Sequence, residues 1–189
     1  MRFLFLFAAV TVIAACAATP QTPQETLDPV TSVTLTSTPT PLVLYRDNPA
    51  VAAHARKLLY LGPIEVNRTG LRTYFMWVGI WSTAQAPDMA SQLDGFDSIV
   101  LYADGEPLLL EAAGFTPDAI GASIPVYQKP VPWAADAYYR VTVDQIRLLA
   151  SARDVRLRTT GLNPREFSEW DAQAAAREGF ARFVEATVF

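Results

Sequence analysis

"RTYFMWVGIWST", residues 72–83, is apolar on both sides of an extended chain. Side chains alternate across a strand. Tyr74, Met76, Val78 and Ile80 therefore share one face, and Phe75, Trp77, Gly79 and Trp81 share the other. A strand with two apolar faces is covered above and below, so the pattern predicts a central strand. Gly79 leaves a notch between the two tryptophans, where a ring, a ligand or another backbone can approach closely. Two readings of that face follow. Phe75, Trp77 and Trp81 line a ligand pocket between sheet and helix, or Phe180 and Phe183 of a C-terminal helix fill the notch and make it core.

Working outward, "LVLYRD" (42–47) reads as a short strand, and Asn48-Pro49 gives a cap and first-turn proline for a short helix or turn carrying His54. "SIVLYADGEPLLLEA" (98–112) reads as a hairpin on the turn pair Asp104-Gly105, with Pro107 placing the second strand at an edge. Residues 112–137 read as loop, with one short strand at "SIPVYQ". Next come a strand at "AYYRVTV", a helix at "DQIRLLASA" with a Thr142–Gln145 capping box, and a strand at "DVRLRTT". In that last strand Val155 and Leu157 point inward. Asn163-Pro164-Arg165-Glu166 has the cap, first-turn proline and third-position glutamate of a helix start. That helix carries Phe167 and Trp170, breaks near Asp171, and continues with Phe180, Phe183 and Val184. The expected fold is α+β: a mainly antiparallel sheet with C-terminal helices packed on one face, in a single domain over 42–189.

The N-terminus is of another kind. Phe3 to Ala15 is an uncharged run of 13 residues behind Met1-Arg2, shorter than the roughly 20 apolar residues of a spanning helix. It ends at Cys16, the only cysteine. Ile13-Ala14-Ala15-Cys16 resembles the lipobox of bacterial lipoproteins: an aliphatic residue, two small ones and an obligatory cysteine. The resemblance implies that residues 1–15 are a signal peptide removed before Cys16. It also implies diacylglyceryl on the thiol and a fatty acyl group such as palmitate on the new amino terminus. Two or more chains anchor stably where one does not. Ala17 in place of Asp implies, by the Gram-negative sorting rule, the outer membrane, with the protein facing the periplasm. The competing reading is an ordinary signal cut near Ala18. Residues 16–41 are rich in Thr, Pro and Gln and read as the lipidated cysteine and a tether, with a possible edge strand at 30–36. The mature domain has the general look of small proteobacterial lipoproteins, a likeness that carries over no mechanism.

Composition narrows the chemistry. Loss of Arg2 from the 15 basic residues leaves 14 against 19 acidic ones, which argues against a nucleic-acid partner. Residues 83–137 hold eight acids and one base, Lys129, a distribution expected of turn residues between strands. With one histidine and a lipidated cysteine, no zinc-ligand pattern is present, a Ser-His-Asp triad could be built only around His54, and no G-x-S-x-G, P-loop or G-x-G-x-x-G is found. No metal or cofactor is expected. Arg140, Arg156 and Arg158 form a basic stripe for an anion or partner if their strands are neighbours, and otherwise pair locally with Asp and Glu. The expectation is a non-catalytic, lipid-anchored envelope protein with a binding or assembly role toward an unidentified envelope protein or lipid. The alternatives are a carrier of a small apolar ligand using a sheet–helix pocket, and a carboxylate-dependent hydrolase of an envelope polymer.

Overall fold

In the computed structural model, which describes residues 21–50, 52–84, 89–171 and 173–187, the two longest strands lie side by side. β4 (Arg56–Arg68) and β5 (Leu71–Ser82) pair antiparallel over their whole length, from Lys57 opposite Ser82 to Arg68 opposite Leu71. Before them come β1 (Gln24–Leu27), β2 (Thr34–Ser37) and β3 (Leu42–Asp47). After them come α1 (Met89–Leu93), β6 (Ser98–Ala103), β7 (Glu106–Gly114), a 3-10 turn at Pro117–Ile120 and β8 (Ala135–Val141). The chain ends with α2 (Val143–Ser151), β9 (Val155–Thr159), β10 (Glu166–Glu169) and α3 (Ala174–Thr187).

The ring order is β4-β3-β10-β9-β6-β7-β8-β5, and the β4–β5 ladder closes it into an eight-stranded antiparallel barrel. β3 pairs with the first half of β4 and β2 with the second half, so the β1–β2 pair extends the sheet where β4 and β5 run past the ring. This corrects the expected α+β fold with C-terminal helices on one face. β5 has a partner on each edge, and the sheet curls until it meets itself. The helices then serve the barrel's own interior: α2 leaves the end of β8, α3 follows β10, and the two pack together. Ile146, Leu149, Phe180 and Phe183 join Leu44, Leu59, Met76, Val78, Leu101, Tyr139, Leu157 and Phe167 in one buried cluster. The interior is filled by side chains.

A second core lies outside the ring. Phe75, Trp77, Ile64 and Tyr138 on the outer wall are buried against Val33, just before β2, and Leu35 of β2, and against Ile120 and Tyr127 from the 117–127 segment. The two apolar faces of β5 are thereby both covered, one inside the barrel and one beneath this flap. The tryptophan notch is filled from neither expected direction. A Cβ on Gly79 would lie 2.5 Å from the ring of Trp77 itself, and Tyr127 stacks on that ring at 4.5 Å with planes 12° apart.

Local readings fare unevenly. Asp104 and Gly105 both have positive φ (50° and 89°), as the β6–β7 turn requires, and the Thr142–Gln145 capping box forms in both directions. Val155 and Leu157 face inward. Asn163-Pro164 opens a turn into β10 instead of a helix, because Phe167 is drawn into the interior between β9 and β3. Residues 48–50 and 52–55 are turn-rich with His54 exposed, and the expected strand at 123–128 is irregular. The tether reading of 16–41 is shortened: 24–27 and 34–37 are strands, so the folded body includes Gln24 onward. Cys16, the lipobox and the signal peptide lie outside the described residues.

The outer wall gives a packing test. A Cβ on Gly62 would sit 2.3 Å from Cζ of Tyr127, a ring held by hydrogen bonds of its hydroxyl to Pro63 O and Thr38. Gly62→Ala should therefore cost about 1–3 kcal/mol in urea unfolding. The cost should shrink in a Tyr127→Ala background, because the clash and its partner are then removed together.

Candidate functional site

The predicted site residues do not converge. Phe75 and Trp77 are buried in the outer core. Trp81 is half-buried, edge-on to Tyr60 at 5.8 Å. The Trp77 Nε1–H donates to Asp136 Oδ1 (3.0 Å), and Asp136 in turn pairs with Lys129 at 3.1 Å. This ring is locked in place, and only its border reaches a cleft of about 360 Å³ together with Tyr60, Tyr127, Pro39 and Pro41. Phe180 and Phe183, expected to seal it, belong to the barrel interior.

The arginine stripe does not form, because β7 and β6 stand between β8 and β9 in the ring. Arg140 lies over the Phe75 ring (5.4 Å), while Arg156 pairs with Asp154 (3.0 Å) and Glu166 (3.3 Å). Arg158 is exposed on the outer face of β9. Among the described residues, no group of three His, Cys, Asp or Glu side chains could hold a metal ion.

Two polar clusters were not anticipated. The first sits at the rim of the interior. Lys57 Nζ and the Arg165 guanidinium both lie 5.4 Å from the Phe96 ring centroid, and Lys57 donates to Gln92 O (3.0 Å). The nearest acid to Arg165 is Asp94, 4.0 Å away and beyond hydrogen-bond reach. Burial, and after it the nearby Arg165 charge, pushes the Lys57 ammonium down to about 8.

The second cluster is Glu65 and its surroundings. The inward alternation of Leu59 and Leu61 continues to Glu65 and Asn67, where β4 has left the ring. Register places Thr36 and Tyr74 on either side of Glu65, and Thr34 and Arg72 on either side of Asn67. Glu65 is 4% exposed, and its Oε2 accepts no hydrogen bond. Arg72 Nε stands 3.7 Å from Oε1. Burial raises the carboxyl above the usual range, and Arg72 only partly opposes the shift. These side chains border a cleft of about 320 Å³, with the last turn of α3 as one wall. The available sequence signal was a lone carboxylate between Ile64 and Val66, but it is readable only once β4 is known to be a strand.

No family model, no curated protein and no solved structure matches the chain.

Lys57 supplies a pH test. Its folded-state value is depressed, so below about 8 both folded and unfolded chains hold the proton and the cost of the buried charge is fully present. Above that, the folded chain releases its proton first, and stability rises until the unfolded value near 10.5 is reached. The charges facing the ammonium are Arg165, Arg46 and Asp94. Chemical denaturation between about pH 7.5 and 9.5 should show stability increasing in the wild type and flat in Lys57→Met.

Proposed function

We propose that the chain is a non-catalytic, lipid-anchored protein of the cell envelope whose barrel presents binding sites on its outer surface to an envelope component. The observation that carries this reading is the filled interior. Leu44, Leu59, Met76, Tyr139 and Phe167, all fully buried, occupy the space where a carrier of this shape would hold its cargo. Binding is left to the walls, where the described clefts open. A small-ligand role, if the protein has one, moves with them from a sheet–helix pocket to the surface.

The anchor half of the proposal rests on Ile13-Ala14-Ala15-Cys16. On the sorting rule quoted above, that anchor stations the protein in the outer membrane, facing the periplasm.

Palmitate labelling and fractionation test it. Cys16→Ser should abolish the label and leave the precursor uncut, and a chain begun at Ala17 behind a cleavable signal should appear in the soluble fraction. A palmitate label retained by Cys16→Ser with unchanged processing would overturn the anchoring.

A further inference from the structure

Glu65 is costly as a structural residue. A carboxylate removed from water loses several kcal/mol of hydration unless its oxygens are fully partnered. Here the Tyr74 hydroxyl and the Arg72 Nε, 3.7 Å from Oε1, face the carboxylate, but Oε2 has no hydrogen bond. Arg72, whose Nε makes that long ion pair, also donates through Nη1 to Thr187 O at 3.2 Å. No apolar residue occupies the position, although Leu59 and Leu61 stand on the same face of the same strand.

The surroundings accept better than they donate. Thr34 and Thr36 bring hydroxyls to the cleft, and Glu25 adds a second carboxylate at its border. Two carboxylates against one guanidinium leave the cleft net negative, which disfavours an anion. A neutral polyol would leave the Glu65 charge uncompensated. A primary ammonium offers three donors and no acceptor and brings the opposite charge.

We propose that this cleft binds the primary ammonium group of a small polar ligand, with Glu65 as its anionic anchor and the Thr34 and Thr36 hydroxyls taking the remaining N–H donors. The chemistry is common to a free amine and to an amine-bearing lipid headgroup. Thr22 and Pro23 border the cleft a few residues beyond Cys16, so both sources lie within reach. The reach to a lipid headgroup rests on the proposed anchor at Cys16, whereas the amine site itself rests on the folded body alone.

Thermal unfolding of the full chain at pH 7, with ethanolamine as the probe, tests it. Ethanolamine should raise the unfolding temperature by several degrees as it saturates the folded state. Choline, whose nitrogen carries no hydrogen, should not. Glu65→Gln keeps the side-chain shape and removes the charge. It should unfold at or above the wild-type temperature without ligand, and should lose the ethanolamine shift. Glu25→Gln should retain a shift but require several-fold more ethanolamine. Flotation of the chain from Ala17 onward, which carries neither acyl chains nor the apolar leader, separates the sources. Retention on phosphatidylethanolamine but not phosphatidylcholine vesicles assigns the headgroup, and a shift without retention assigns a free amine. No ethanolamine shift, or an equal shift in Glu65→Gln, overturns the proposal. A palmitate label that persists on Cys16→Ser would bear on the anchor only.

Discussion

The barrel depends on β5 being paired along both edges. Twelve residues of β4 face it on one side and seven of β8 on the other. Each pairing leaves Met76, Val78 and Ile80 pointing to one side, and with both edges used that side becomes an enclosed space. An open sheet would have needed a layer of helices to cover it. A closed one needs only enough side chain to fill the ring, with α2 and α3 adding Leu149, Phe180 and Phe183 to the same cluster. The outer aromatic face follows from the same pairing. Gly62 lies opposite Trp77 and Gly79 opposite Tyr60. These glycines give the Tyr127 and Trp77 rings room to lie flat on the sheet.

How far the fold could be read in the sequence turns on two hairpins. Asp104-Gly105 has residues that enter positive φ at low cost, and β6–β7 was legible from it. The hairpin between β4 and β5 turns on Thr69-Gly70, with φ of 49° and 93°. A β-branched residue rarely adopts that conformation, so the turn carried no signal. What permits it is tertiary and local together: twelve flanking pairs, and Asn67 Oδ1 accepting the Gly70 N–H at 2.9 Å. With that turn unseen, β4 was unseen. The sheet then lacked its closing strand, and the C-terminal helices had to be given a face to cover. The same omission hid Glu65, because a carboxylate in an unassigned segment points in no particular direction. The helix expected at Asn163-Pro164 failed for a complementary reason. Its cap and proline suit a turn as well as a helix, and burial of Phe167 between two strands decided between them.

The polar residues are distributed accordingly. Inside the ring the pattern is apolar, and it gives way to charge at two places: beside Phe96, where Lys57 and Arg165 arrive, and beyond the ring, where Glu65 arrives. Elsewhere charge is spent on local ties. Asp104 accepts from the N–H groups of Arg153 and Asp154, which lowers its carboxyl pKa and fastens the β6–β7 turn to the start of β9. Asp28 accepts the Ser123 hydroxyl and amide together with Val30 N–H, joining the β1–β2 turn to the outer flap. These acids account for their positions by what they hold together.

One seam in the ring bears on how the sheet meets other strands. β7 meets β8 only at Ala112 and Gly114, so Glu106 to Glu111 are laddered to β6 alone and keep a free edge. Unpaired strand edges recruit other strands and seed aggregation. Here the edge carries its own defence: Pro107 has no N–H to offer, and Glu106 and Glu111 bracket the exposed Leu109 with negative charge. An incoming strand would lose a hydrogen bond at the proline and bring its backbone between two carboxylates. The open edge thus disfavours extension of the sheet into neighbouring copies.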